Sequence, residues 1–353
     1  KKYFYKGVDI MHMGDALVSG AVGGTMLVAT AAVATYSVKK INSDMDEKKI
    51  PLMGVMGAFV FAAQMINFTI PGTGSSGHIG GGILLSILLG PYAGFLTMAA
   101  ILLIQALFFA DGGLLAYGCN VFNMGFYACF IAYPFIYKFI NRKGISTKRI
   151  FAGSVLASII GLQLGAFSVV LETLLSGKTE LPFTTFVLLM QPIHLAIGFI
   201  EGLVTAAVVT FVWKARPEIL EKSSDGEAYG NISMKRVLGG LIIAVLIVGG
   251  MLSWFASANP DGLEWSMEKT AGTTELDSPG GVHDTLSNIQ EKTAFLPDYS
   301  FKSQSDNEEE WPAVSVGTSI SGIIGGALTL GLALLIGFGV KFIKGKRKKV
   351  NVH

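Results

Sequence analysis

The sequence predicts an all-α, polytopic integral membrane protein, a seven-helix unit followed by a two-helix unit, and three observations predict it. Of 353 residues, 51% are hydrophobic and only 15% charged, against about 25% charged in soluble domains, and the mean hydropathy is +0.55. The apolar residues gather in runs close to the roughly 20 that a helix needs to cross the hydrocarbon layer. The polar stretches between those runs are sorted by charge sign.

The runs cover residues 15–38, 52–71, 81–110, 113–137, 150–175, 184–213, 237–256 and 314–341. Stretches 39–51, 138–149, 214–236 and 341–349 carry four, five, five and six of the 27 Lys and Arg, whereas 12 of the 25 acidic residues lie in 257–313. The positive-inside rule then places the basic stretches in the cytoplasm. Residues near 78 fall outside and residues near 140 inside, so an odd number of crossings must separate them. Run 81–110 is therefore divided at Gly90-Pro91 into a short or re-entrant piece and a full helix, because proline cannot continue a helix's hydrogen bonding. The result is nine helices, with the N-terminus outside and the C-terminus in the cytoplasm. Lys1, Lys2 and Lys6 run against that orientation.

Four parts follow from this division. Residues 1–10 (KKYFYKGVDI) lack the apolar core of a signal peptide and are read as an extension whose presence in the mature chain is open, with Met11 the alternative start. Residues 11–213 form the seven-helix unit. Residues 214–236 read as a polar, flexible cytoplasmic linker. Residues 237–353 form the two-helix unit around an acidic extracytoplasmic loop, 257–313. Cys119 and Cys129 sit in apolar sequence as buried thiols and exclude a disulfide scaffold. A net charge of +2 gives no basic field for nucleic acid; lipid is the surrounding partner.

Chemistry concentrates in a few polar residues. If Met11 carries a free α-amine, that amine, the backbone nitrogen of His12 and the His12 imidazole can close five- and six-membered rings on one metal. A further imidazole completes a plane of nitrogens, which suits Ni(II) and Cu(II) better than Mg, Ca or tetrahedral Zn. His78 supplies it from the glycine-rich stretch NFTIPGTGSSGHIGGG (67–82), on the same expected face. The plainer alternative makes His78 a polar loop residue. Asp111, Asn120 and Asn123 form a polar group near that face, fit to orient His12 or His78 from behind; a helix cap is the alternative for Asp111. Gln191, His194, Gly198, Glu201 and Thr205 recur at steps of three and four and so share one face of helix 184–213, either as a packing seam or as a coupling element. Glu201 is expected about 10 Å deeper than His194 at 1.5 Å per residue. Small residues from Gly20 to Ala29 allow close helix contact. His283 reads as solvent-facing. Neither GTGSSGH nor Ser176-Gly177-Lys178-Thr179 has the spacing of a phosphate-binding P-loop, so the chain has no ATP site and any uphill transport draws on a partner or an ion gradient.

Met11-His12-Met13 before a small-residue helix, the stretch PLMGVMGAFVFAAQMINFTIPGTGSSGHIGGG (51–82), ADGG (110–113), GCNVFNMG (118–125) and PIHLAIGFIEGLVTAAVV (192–209) together resemble the CbiM/NikM family. These are the cobalt- and nickel-binding substrate components of energy-coupling factor transporters. The stretch PDGLEWSMEK (260–269), between two helices, is similar to the PDGLE-type extension fused to some members. The resemblance implies an inner-membrane protein that holds Ni(II) or Co(II) as transported substrate through the Met11 amine, the His12 backbone nitrogen and imidazole, and His78. It also implies a transmembrane coupling subunit and cytoplasmic ABC-type ATPases as partners, and no enzymatic activity. A peptide bond from Ile10 would abolish the amine ligand. A planar nitrogen site leans toward nickel, although Cu(II) binds such sites more tightly. Two rivals stand beside this reading. One is an ion-gradient-driven carrier using His194 and Glu201 as a proton relay. The other is a zinc hydrolase built from His78, His194 and Glu201, disfavoured by their different depths.

Overall fold

The computed structural model describes residues 12–44, 49–225, 233–274, 276–301 and 315–350, and it is built almost wholly of helices. Six of these are long and apolar enough to cross a membrane among the described residues: Gly20–Ile41, Pro91–Phe109, Tyr117–Asn141, Thr147–Leu175, Phe183–Ala215 and Val316–Phe342. Three shorter apolar helices complete the expected nine. They are α2 (Lys49–Gln64), α3 (Gly82–Leu89) and α10 (Lys235–Gly250).

The N-terminal unit runs through α1 (Gly20–Asp44), α2, a two-stranded hairpin, α3, and α4 (Pro91–Ile104), which continues into a wider π turn, Gln105–Phe109. It proceeds through α5 (Tyr117–Val121), a π-wound stretch Phe122–Tyr137 and α6 (Lys138–Asn141), then α7 (Thr147–Leu175) and α8 (Phe183–Ala215). The break expected at Gly90-Pro91 is present. Gly90 has φ +79° and ends the eight-residue α3, and Pro91 opens α4, the first-turn position where its missing N–H costs nothing. Helix α3 is buried at every residue. That explains why it reads as uninterrupted hydrophobicity rather than as an amphipathic stripe.

Run 52–71 is not one helix. Helix α2 stops at Gln64, and the chain turns into β1 (Phe68–Ile70) and β2 (Ser75–Gly77), antiparallel, with Phe68 opposite Gly77 and Ile70 opposite Ser75. Pro71 ends the first strand, and Gly72 and Gly74 take positive φ in the turn. Segment 214–236, expected as a flexible linker, carries α9 (Pro217–Asp225), whose Ile219 and Leu220 are buried in the main core. The acidic stretch 257–313 holds two more helices, α11 (Gly262–Ala271) and α12 (Val282–Thr293). A capping box starts α11: Asp261 accepts from the backbone three residues on, and Glu264 reaches back to the Asp261 N–H, so two otherwise orphaned donors are satisfied together.

The C-terminal unit, α10 to α13 (Val316–Val350), packs against the N-terminal one through glycine. A Cβ on Gly54 would meet Leu334 and one on Gly325 would meet Phe61, while within the C-terminal unit a Cβ on Gly322 would strike the backbone of Gly249. Without a hydrophobic driving force between helices in lipid, such close backbone approach is what holds them together. The same device joins α1 to α5, where a Cβ on Gly118 would strike the backbone of Leu27.

Candidate metal centre

Two stretches far apart in sequence meet at one end of the bundle. The first is the extended segment at His12-Met13. Asn120 fixes it by accepting from the Met13 N–H at 3.0 Å and donating to the Met13 carbonyl at 3.0 Å, while Gly113 N–H donates to the same carbonyl. Asp15 anchors the following turn by accepting from the Leu115 and Ala116 N–H groups at 2.7 and 3.0 Å. Gly113 has to be glycine here, because a Cβ would overlap the Asp15 side chain. The second stretch is β2 and the glycines that follow it, which carry His78 down to the start of α3.

The imidazoles of His12 and His78 lie with ring centroids 5.2 Å apart. Ring nitrogens about 2 Å from a shared ion place imidazole centroids roughly 4.5–6.5 Å apart, so one ion can reach both. Each ring is backed by a buried carboxylate. His12 Nδ1 is 2.9 Å from Asp111 Oδ1, and His78 Nδ1 is 3.2 Å from Asp261 Oδ1. Tyr299 donates to the second oxygen of Asp111 at 2.6 Å. Burial opposes the charge on both carboxylates, but the facing imidazoles outweigh it and hold Asp111 and Asp261 below the ordinary carboxylate range. Burial likewise opposes a charge on His78, yet Asp261, helped by Asp111 and Glu201, holds its pKa above the ordinary histidine value. An ionised carboxylate only accepts, so each Nδ1 carries the hydrogen and each neutral ring presents its Nε2 lone pair. His12 Nε2 is buried and has no hydrogen-bond partner, an electron pair with nothing to receive it.

The other expected residues fall around this pair. Asp111 lies against His12 Nδ1 and makes no helix cap. Asn120 holds the backbone rather than a ring. Asn123 points away and donates to Glu172 at 2.8 Å. Glu201 is not separated in depth from the histidine loop, because the loop descends to it. Its carboxylate accepts from the Gly80 and Gly81 N–H groups at 2.8 and 3.1 Å. His194 Nδ1 pairs with the Met190 carbonyl at 2.8 Å. His12, His78, His194 and Glu201 all line one cavity of about 100 Å³, yet among the described residues no three His, Cys, Asp or Glu side chains are grouped to hold a metal. That count, and not a difference in depth, disfavours the zinc-hydrolase arrangement. The family resemblance implies that main-chain and terminal nitrogens complete a site around His12 and His78. Met11, expected to supply such a nitrogen, lies outside the described residues. His283, expected in solvent, is buried against the Val18 carbonyl at 2.9 Å.

Sequence reasoning missed four contributors. From the C-terminal unit, Asp261 reaches His78 and Tyr299 reaches Asp111. Gln64 donates to the Gly80 carbonyl at 2.9 Å, and Gln105 in turn donates to Gln64 at 3.0 Å. The Asp-x-x-Glu spacing at 261–264 was the one available signal, and it marks a helix start without saying what the aspartate faces.

Residues 12–219 match the model of the family described as the cobalt uptake substrate-specific transmembrane region, and residues 235–342 match that of the PDGLE domain. The chain is 32% identical over 328 residues to a protein of Archaeoglobus fulgidus that carries the provisional name of fused nickel transport protein NikMN, covering 92% of this chain and 98% of that one. It is 28% identical over 219 residues to the cobalt transport protein CbiM of Sorangium cellulosum, covering 60% and 95%. Its fold is similar to the crystal structure of a truncated transition metal transporter, with a TM-score of 0.51 and 29% identity over 58% of this chain and 99% of that one.

Proposed function

Since the chain belongs to the CbiM family of cobalt-uptake substrate-specific transmembrane regions, with a PDGLE domain behind it, we propose that it is the substrate-capture component of an ATP-driven, energy-coupling-factor importer for nickel or cobalt. It is a multi-pass membrane protein of a transporter family and not an enzyme. In this reading the ion is cargo. Where Met11 is the free N-terminus, the ion is held on the outer face of an inner membrane by the Met11 amine, the backbone nitrogen and imidazole of His12, and His78 Nε2.

The observation that carries the reading is the convergence of His12 and His78, 66 residues apart in sequence, with Nδ1 of each ring on a carboxylate and His12 Nε2 left without a partner. Carboxylates behind imidazoles fix the tautomer and raise the basicity of a metal-ligating ring. A six-membered chelate ring closes through His12 Nδ1, the atom facing Asp111 here. Loading therefore turns the His12 ring over about its Cβ–Cγ bond and exchanges its tautomer, Nδ1 giving up its proton to solvent and Nε2 taking one, so that Nε2–H faces the Asp111 side. Two buried carboxylates balance the incoming dication as the ligand nitrogens lose protons.

Two features support an external energy source. The sequence has no P-loop, and Glu201, the candidate relay carboxylate, is committed to two backbone amides. The transmembrane coupling subunit and ABC-type ATPases are the partners this implies, on the cytoplasmic face where the basic stretches lie. His12→Ala and His78→Ala should each abolish nickel and cobalt binding by calorimetry and uptake in cells. Unchanged uptake in both variants rejects the site. Reconstituting the chain with and without the ATPases separates this function from a gradient-driven carrier, which would transport alone.

A further inference from the structure

The C-terminal unit reaches the metal site through the Tyr299 hydroxyl, which lies behind Asp111, and through the Asp261 carboxylate, which faces His78 directly. Residues 257–261 run beside the β hairpin, bridging it at Ser76 and Asp261, and α11 begins directly after them. Ser257 N–H donates to the Asn67 carbonyl at 2.7 Å, Ser76 N–H to the Pro260 carbonyl at 2.8 Å, Ser76 Oγ to the Asn259 carbonyl at 2.8 Å, and Trp265 Nε1 to the Thr73 carbonyl at 3.1 Å. Gly262 lets the turn sit flat on α8, since a Cβ there would meet Ile193 at 2.7 Å and Ile197 at 3.0 Å. These contacts deliver the Asp261 carboxylate, 4% exposed, to His78 Nδ1 across 183 residues of sequence.

We propose that Asp261 of the PDGLE segment is a positioning residue of the metal site. It holds the His78 ring with Nε2 aimed at the ion and completes for His78 what Asp111 does for His12. The inference rests on the reading of His78 as a metal ligand. Its physical content is twofold. The carboxylate locks the tautomer and rotamer of an imidazole on a glycine-rich loop that would otherwise be free to turn, and its charge raises the basicity of the coordinating nitrogen. The PDGLE unit is thus part of the binding site, and a chain lacking it would present a histidine without its orienting partner.

The test uses the full chain in detergent or nanodiscs, titrated with Ni(II), reading both affinity and the visible ligand-field band of the bound ion. Outer-sphere partners of metal-binding histidines contribute about 10–100-fold in affinity, so Asp261→Ala should weaken nickel within that range and shift the band. Asp261→Asn keeps a good helix N-cap and a hydrogen-bond acceptor but removes the charge; about tenfold weaker binding with a band shift is expected. Should Asp261→Ala fail to fold, Asp261→Asn carries the test. Wild-type affinity and band position in Asp261→Asn overturn the proposal and reduce Asp261 to a helix cap. Loss of affinity in Asp261→Ala with an unmoved band does the same. His78→Ala, run alongside, keeps the two readings apart. If it binds nickel like the wild type, the metal-site reading itself fails; if it loses nickel while both Asp261 variants bind normally, only the positioning role fails.

Discussion

Replacing Glu201 by alanine tests how the histidine loop is held. Its carboxylate, 1% exposed, accepts two backbone N–H groups at the start of α3, where a helix leaves its first amides without partners. Gly81, the N-cap residue, has φ +79° and no side chain to offer, and Glu201 takes up its N–H and that of Gly80 from another helix. Each buried donor left unsatisfied costs about 1–3 kcal/mol, giving about 2–6 kcal/mol for the pair in Glu201→Ala. Gly80 is two residues from His78, so part of that cost falls on the loop that presents the ring, and each 1.4 kcal/mol appears as tenfold in metal affinity. Thermal unfolding in detergent should show a lower midpoint, and nickel calorimetry at least about tenfold weaker binding. A Glu201→Ala protein with wild-type midpoint and wild-type affinity would refute the claim that this carboxylate supports the site.

Other predictions follow from the same geometry. The His78 pKa is raised, so its charged ring persists to higher pH than usual, and a dication must displace that proton. Nickel binding should release protons into weakly buffered solution near neutrality and should weaken as pH falls through the raised pKa, by up to about tenfold per unit for each proton displaced. Binding independent of pH from about 8 to about 6, the range around an ordinary histidine pKa, would contradict it. Gly81→Ala places a Cβ 2.5 Å from Val60 at φ +79°. The left-handed backbone costs about 1–2 kcal/mol and the overlap about 1–3 more, so a clearly lowered unfolding midpoint is expected, and an unchanged one would show that the loop relaxes freely.

The spans were legible because lipid leaves a chain little choice: backbone groups must be satisfied within a helix, and the side chains facing lipid must be apolar. The break at Gly90-Pro91 was legible for the same reason, from proline's missing donor and the parity of charge. The end of α2 was not, since Phe68-Thr69-Ile70 is as apolar as the helix before it and only its pairing with Ser75–Gly77 makes it a strand. Within the site, His12 and His78 stood out because nitrogen ligands are scarce in an apolar sequence, and Asp111 because a charge near an outer helix end invites a partner. Asp261 and Tyr299 did not stand out, because their roles exist only once the C-terminal unit is docked. The acidic stretch around them reads as solvated charge until α11 and α12 are seen to fold against the N-terminal unit. His283 misled for the same reason, being polar in a polar stretch yet buried on Val18.

X-ray absorption at the nickel K-edge of the loaded protein, with Met11 as its N-terminus and both units present, tests the central claim most directly. The account predicts a first shell of nitrogen, about 2 Å from the ion as for imidazole ligands generally, with the outer-shell scattering of two imidazoles, falling to one in His78→Ala if any metal is retained. A shell dominated by oxygen or containing sulfur, or one imidazole in the wild type, would contradict it.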